Sequence, residues 1–237
     1  MSLKTMKETV EGNKYPGRGI VVGKSADGKS AVCAYFIMGR SENSRNRVFS
    51  QKENGDIYTE AYDPSKLEDP MLIIYNAVRE YKNTLTVTNG DQTDTVYNGI
   101  SAGSTFEETL RTREFEPDAP NFTPRISAIL NFEDEYSYKM SILKSGDEQG
   151  SVCQRYFYEY KSLAGKGHFI HTYEHDGNPL PTFVGEPRNV IIPDDIDAFA
   201  KEIWGALDSE NKISLYVRYT DLESGKFTDR IINKHSK

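Results

Sequence analysis

Cysteine is scarce: Cys33 and Cys153 are the two in 237 residues. That is too few for a disulfide framework, and without a Cys-x-x-Cys spacing the pair points to a reducing compartment. Long apolar runs are missing too, since no stretch approaches the roughly 18–20 residues of a membrane span. Residues 1–13 are polar and of mixed charge, unlike a secretory signal, and are expected to form a flexible N-terminal segment. Basic charge is in deficit, with 29 Lys and Arg against 36 Asp and Glu and a formal net charge of -7. Affinity for nucleic acid comes from neutralising phosphates, so such a chain is a poor general nucleic-acid binder. There is no G-x-G-x-x-G phosphate loop, because Gly165-Lys166-Gly167 runs on to Ile170 where the third glycine is required. What is present is 37% hydrophobic and 11% aromatic residues, enough for a core. The expectation is a cytoplasmic globular protein with neither a membrane nor a nucleic-acid partner.

No repeat, low-complexity tract or tether interrupts the chain, so residues 1–237 are expected to form one domain. β-forming runs dominate. Gly19–Gly23 and Ala31–Met38 flank Ser25-Ala26-Asp27-Gly28-Lys29, whose Asp-Gly is a hairpin signal. Further strands are expected at Thr84–Thr88, Arg125–Phe132, Tyr136–Leu143, Val152–Tyr160 and Gly167–Tyr173. Ile213, Leu215, Val217 and Tyr219 alternate with Ser214, Tyr216 and Arg218 as in a half-buried strand. Ser104-Thr105-Phe106-Glu107 reads as a capping box opening a helix to about Arg113. A second helix is expected from Asp194, with Ile196, Phe199, Ala200, Ile203, Trp204 and Leu207 forming one apolar stripe. Leu72–Tyr81 reads as either a strand end or a helix. Antiparallel strands with a few amphipathic helices make an α+β class.

Two segments stand out chemically. Gly39-Arg40-Ser41-Glu42-Asn43-Ser44-Arg45-Asn46-Arg47 sets three arginines among hydroxyls and amides, straight after an apolar strand. Guanidinium forks grip a phosphate through paired hydrogen bonds, and a cluster this small suits one phosphate rather than a polymer; a solvated turn is the competing reading. Glu116-Pro117-Asp118-Ala119-Pro120-Asn121-Phe122-Thr123-Pro124-Arg125 is stiffened by three prolines and leads into a strand, a place where side chains are held for function or merely for connection. Tyr75 in Ile73-Ile74-Tyr75-Asn76 reads by itself as a core tyrosine, and Asn89-Gly90 as a turn. His168, His171 and His175 do not make a metal site. In an extended chain the first two face opposite ways, and the last two lie roughly 13 Å apart.

Taken together, Tyr15-Pro16-Gly17-Arg18, Gly39-Arg40-Ser41 through Asn46-Arg47, Ile74-Tyr75-Asn76, Val87-Thr88-Asn89-Gly90 with Thr93-Asp94, and Thr123-Pro124-Arg125-Ile126 resemble the archaeal-type inosine monophosphate (IMP) cyclohydrolases. The likeness runs from about Tyr15 to Ile232. The Gly167–Arg188 segment, with Gly177-Asn178-Pro179-Leu180-Pro181, is similar to the bacterial branch.

The resemblance implies mostly antiparallel sheets in a four-layer αββα sandwich similar to that of N-terminal-nucleophile hydrolases. It implies a hydrolase of cyclic amidine C–N bonds acting in purine biosynthesis, which closes 5-formamidoimidazole-4-carboxamide ribotide to IMP with loss of water. The expected partner is a small purine ribonucleotide; no cofactor and no metal are expected, and a homo-oligomer is. Arg40, Ser41 and Arg47, with Asn46, would grip the phosphate or polarise the formyl oxygen, and Arg45 is a weaker candidate. Tyr75 would transfer a proton with a pKa lowered by a nearby arginine. Glu116 would orient the carboxamide or share the proton work, and Asn89, Thr123 and Arg125 would line the base or ribose. The alternatives are an amide hydrolase with a true N-terminal nucleophile and a purine nucleotide-binding protein without catalysis.

Overall fold

The computed structural model describes residues 3–67 and 73–235. The expected hairpin forms: β1 (Arg18–Lys24) and β2 (Ser30–Met38) pair antiparallel with Val21 opposite Ala34. β2 is the middle of a six-stranded sheet. β1 is followed outward by β10 (Lys166–His171) and β11 (Arg188–Ile191), and β2 is flanked on its other side by β12 (Lys212–Asp221) and β13 (Phe227–Asn233). A second sheet has seven strands in chain order: β3 (Val48–Gln51), β4 (Ile57–Glu60), β5 (Asn76–Tyr81), β6 (Thr84–Thr88), β7 (Arg125–Asn131), β8 (Ser137–Ser145) and β9 (Cys153–Lys161). Every strand pairing in both sheets is antiparallel. The class is therefore α+β.

Three hydrophobic clusters hold these elements. The largest joins both sheets: Ile20, Cys33, Tyr35 and Ile37 meet Ile57, Leu85, Val87, Ile126, Met140 and Ile142. A second lies on the opposite side chains of the six-stranded sheet, where Val21, Phe36, Phe169 and Val217 pack with Phe199, Ala200 and Ile203 of a helix (Ile196–Ala206). Fully burying an aliphatic or phenyl group contributes about 1.5–3 kcal/mol, so this stripe is the main reason the helix docks there. The third sets Val96, Phe106 and Leu110 against Ile129 and Leu143 of the seven-stranded sheet.

Several expectations are corrected. Within residues 1–13 lies helix α1 (Met6–Val10) rather than a loose segment. Thr5 and Glu8 cap it reciprocally, and the i,i+4 pair Met6 and Val10 is buried against the other helix of its cluster. The capping box sits one residue later than read, on Thr105 and Glu108, and opens a helix of residues Phe106–Arg111. Leu72 lies outside the described residues, while residues 76–81 resolve the ambiguity as strand β5. The alternation in 213–219 is not a wet face opposite a dry one. Ser214, Tyr216 and Arg218 are as buried as their neighbours, because β12 lies inside its sheet and faces the other sheet across the shared core. A helix at Gln92–Ser101 went unread, since its Thr, Asn and Gly residues are poor helix formers and its apolar face is short. In chain order the helices are α1, α2 (Glu42–Arg45), α3 (Gln92–Ser101), α4 (Phe106–Arg111) and α5 (Ile196–Ala206) among the described residues.

His168 and His171 fall on opposite faces of β10. His168 bonds the Tyr138 hydroxyl at 2.7 Å, and His171 bonds the Tyr173 carbonyl at 2.8 Å. Burial holds them at about 4 and about 3 respectively, so both are neutral imidazoles at pH 7.

Candidate active site

The site begins with two glycines that let chain segments approach closely. A Cβ on Gly17 (φ +79) would strike Thr172 Oγ1 at 2.1 Å, so only glycine lets the start of β1 lie against the chain around Tyr173. A Cβ on Gly39 would lie 2.7 Å from the Ser44 carbonyl, around which the arginine segment folds back. Ser41 caps the four-residue α2 by accepting from the Ser44 amide at 3.1 Å. The loop before β7 is closed on itself: the Glu116 amide donates to the Thr123 carbonyl at 2.9 Å, and the Asp118 carboxylate accepts from the Thr123 amide at 2.6 Å. Thr123 Oγ1 in turn bonds the Tyr173 hydroxyl at 2.6 Å.

These segments enclose a cavity of about 280 Å³. Arg18, Arg40 and Arg47 supply its cations, Glu116 and Asp118 its carboxylates, and Ser41, Asn43, Asn121 and Thr123 its neutral polar groups. Tyr15, Tyr173, Ile73 and Leu180 form apolar walls. Six buried side-chain polar atoms among the described residues have no hydrogen-bond partner, and three belong to this cavity: Arg18 Nε, Arg47 Nη2 and Asn43 Oδ1. An unpaired buried polar atom costs about 1–3 kcal/mol, so concentrating two donors and an acceptor here makes sense if a ligand satisfies them.

The electrostatics are coupled. Burial pulls the Arg47 guanidinium down, and the like charge of Arg18 adds to it. For Arg18 burial acts the same way, but the Glu116 carboxyl, with Tyr173, Tyr15 and Tyr75, outweighs it and holds the proton more firmly. Burial raises the Glu116 carboxyl above the ordinary range despite Arg18, Arg125 and Arg47 nearby. A carboxyl raised in this way holds a proton more readily than an ordinary one, which suits a group that takes up a proton and gives it back.

The sequence-derived candidates divide. Arg40, Ser41, Arg47, Glu116 and Thr123 line the cavity. Arg40 stands at its mouth, bonded to Asp176 at 2.5 Å and lying over the Tyr15 ring. Arg45 turns away: its Nε donates to the Gly39 carbonyl and its Nη2 to Asn211. Asn46 is spent on both backbone groups of Asp63. Asn89 and Arg125 do not line the cavity. Asn89 accepts from the Ile126 amide and donates to the Pro124 carbonyl, while Arg125 holds Asp91 at 2.6 Å and Gln92 at 2.7 Å. They brace the strand end from behind, and Arg125 adds positive potential at Glu116. Tyr75 is outside the lining too, buried in the shared core with its hydroxyl 2.7 Å from that of Tyr35. Its pKa is raised, not lowered: burial dominates the opposing pull of Arg47, Arg18 and the Tyr35 hydrogen bond. Arg18, Asn43, Asp118 and Tyr173 were missed as chemistry. Arg18 and Tyr173 come from strand ends far apart in the chain that pairing brings together, which no local pattern announces. Among the described residues no group of three His, Cys, Asp or Glu side chains is placed to hold a metal ion.

A family described as IMP cyclohydrolase-like protein matches residues 15–225, which include every lining residue of the cavity. The chain belongs to this family. Among curated IMP cyclohydrolases, that of Methanopyrus kandleri is 27% identical over 194 residues, covering 76% of this chain and 95% of the relative. That of Methanococcus aeolicus is 33% identical over 129 residues, 52% of this chain and 61% of the relative. That of Methanocaldococcus jannaschii is 30% identical over 124 residues, with 52% and 59% covered. The match to the last two thus spans less than two thirds of their length. The cavity thus joins the half-exposed Arg40 to the buried Arg47 and Glu116.

Proposed function

We infer that the protein is an IMP cyclohydrolase, closing 5-formamidoimidazole-4-carboxamide ribotide to IMP with loss of water in purine biosynthesis. The observation that carries this reading is the single cavity in which three guanidiniums, two carboxylates and three unpartnered buried polar atoms converge, within a chain matched to the family over residues 15–225.

The chemistry follows from the groups present. Arg40 and Ser41 at the mouth hold the ribotide phosphate, and Asn121 and Thr123 face the ribose and base. The carboxamide nitrogen attacks the formyl carbon of the same molecule, so the formyl oxygen gains charge. Arg47, through its free Nη2, and Arg18, through its free Nε, donate to that oxygen; preorganised donors of this kind contribute about 3–4 kcal/mol. Glu116 takes the proton leaving the carboxamide nitrogen. It returns that proton to the oxyanion, making a hydroxyl, and then relays the formamido N–H proton to the hydroxyl, which departs as water as the C=N bond forms. Tyr75, with its raised pKa, acts as a neutral donor behind the arginines rather than as a phenolate. Nucleophile and electrophile are already joined, so freezing their rotamer gives less than the roughly 7–11 kcal/mol available when separate reactants are brought together.

The same reading includes one domain with four layers, αββα, similar to N-terminal-nucleophile hydrolases. Its support is the order of the three clusters, with helices against the outer side chains of each sheet and both sheets in the shared core. β1 opens with Arg18 rather than with a Ser, Thr or Cys, which speaks for a site that does not use the nucleophile of those hydrolases. A reducing, cytoplasmic setting is consistent with two free thiols, and no described helix is long and apolar enough to cross a membrane. The test is to mix the purified protein with the formylated ribotide, without added metal, and follow IMP by ultraviolet absorbance. Binding of IMP without turnover would leave a nucleotide-binding protein.

A further inference from the structure

The seven-stranded sheet ends on β9, a nine-residue strand with β8 on one side and, among the described residues, no strand on the other. Proteins shield long edge strands with charges, prolines or bulges, because unpaired backbone groups template further pairing. β9 has no proline, and it pairs with β8 without interruption from Cys153 to Lys161. Of the nine exposed large hydrophobic residues among the described residues, Tyr156 lies on it and Val152 and Leu163 lie just beyond its two ends. A fourth, Val184, adjoins Gly185, whose carbonyl accepts from the Tyr158 hydroxyl.

We propose that β9 pairs with β9 of a second copy of this chain, antiparallel about a two-fold axis at Phe157, making one continuous sheet. The argument is charge register. With Phe157 opposite itself, Arg155 of each copy faces Glu159 of the other, on the side of the sheet where Phe157 packs beside Phe106. Tyr156 then faces Tyr158 on the opposite side. Directly opposed residues must share a face, so the axis can move only by whole residues. An axis at Arg155 or Glu159 sets like charges against each other, and one at Tyr158 sets Arg155 against Lys161. An axis at Tyr160 also opposes Glu159 to Lys161, but it leaves only the last three residues of the strand paired, whereas Phe157 is the centre that pairs all nine and gives two opposite-charge pairs. The Glu159 side chain is 73% exposed with a 3.5 Å ion pair to Lys139. Arg155 bonds the Arg113 carbonyl through Nη2 and the Cys153 carbonyl through Nη1, has Glu114 at 3.6 Å, and leaves Nε unpartnered. A two-fold contact is self-complementary by construction, and this strand is charge-complementary to its own reverse.

Sedimentation of the full chain tests this. The wild type is expected at twice the chain mass or a multiple of it, Glu159→Arg at half the wild-type mass, and the Arg155→Glu, Glu159→Arg double variant back at the wild-type value. A monomeric wild type, or an unchanged mass in Glu159→Arg, overturns the proposal. Should either variant fail to fold, amide exchange of residues 154–160 in the wild type decides. For the alternate amides that point away from β8, protection that appears with rising protein concentration supports the pairing, and rapid exchange at every concentration overturns it. None of these readouts depends on turnover, so the interface and the catalytic reading fail separately.

Discussion

Arg47 and Arg218 are both almost fully buried, at 1% and 2% exposure, and they do opposite things. Arg218 is closed off by its surroundings: Nε donates to Thr220 at 3.0 Å, Nη2 to Glu80 at 2.6 Å, and the guanidinium lies over the Phe227 ring at 3.8 Å. Arg47 donates from Nε to the Ser44 carbonyl at 2.8 Å, has no partner at Nη2, and has the like charge of Arg18 nearby. Burial is thus not what separates a structural from a working arginine. The separation lies in whether the protein itself satisfies the group. A satisfied buried cation braces the fold, while an unsatisfied one costs stability and persists where a ligand repays it.

That contrast can be broken by substitution. The largest effect is expected at Arg47→Ala, which should lower turnover by about 10²–10³-fold and weaken IMP binding. Its melting temperature should hold or rise, because a buried charge beside Arg18 is gone. Unchanged IMP affinity and rate would make Arg47 as structural as Arg218. Tyr75→Phe, whose hydroxyl lies behind the cavity lining and bonds that of Tyr35, should cost no more than about tenfold in kcat; a loss as large as that of Arg47→Ala would place the hydroxyl in proton transfer. Arg218→Ala should do the reverse of Arg47→Ala, losing about 2–3 kcal/mol in denaturant melts while the folded enzyme keeps its kcat. A drop in kcat at full folding would end the distinction.

The smallest effect is the pH dependence of stability at Glu116. Its carboxyl is raised in the folded state, so its contribution to stability is full below the unfolded value of about 4.3 and is lost as pH climbs through the raised folded value. Glu116→Gln should therefore gain stability over the wild type as pH rises to about 8, while losing activity. A constant difference between the two melting temperatures across that range would show that the carboxyl is not raised.

Strand positions were legible because β2, β7 and β8 are apolar runs of β-formers, and α5 was legible because its stripe recurs at helical spacing. Strands β3, β4, β11 and β13 were not read: the first three are four residues long and β13 lies at a half-exposed sheet edge. Within the arginine segment, composition marked the place but not the roles. Arg40, Arg45 and Arg47 are equivalent as letters, yet the turn through α2 sends Arg45 to the Gly39 carbonyl and Asn211. The Tyr75 pKa reversed for a related reason. The nearby arginines were anticipated, but the cost of burying a phenolate in the core shared by both sheets was not.

Local chemistry along the chain thus decided which residue types were available, where the backbone would extend or coil, and that an anion-binding segment follows β2. Folding in three dimensions decided which guanidiniums were left unpaired, that Arg18 and Tyr173 joined the cavity, and that Asn89 and Arg125 stood behind it. The reason is physical: a side chain's type is a local property, whereas its burial, its hydrogen-bond partners and the charges beside it are set by segments distant in sequence.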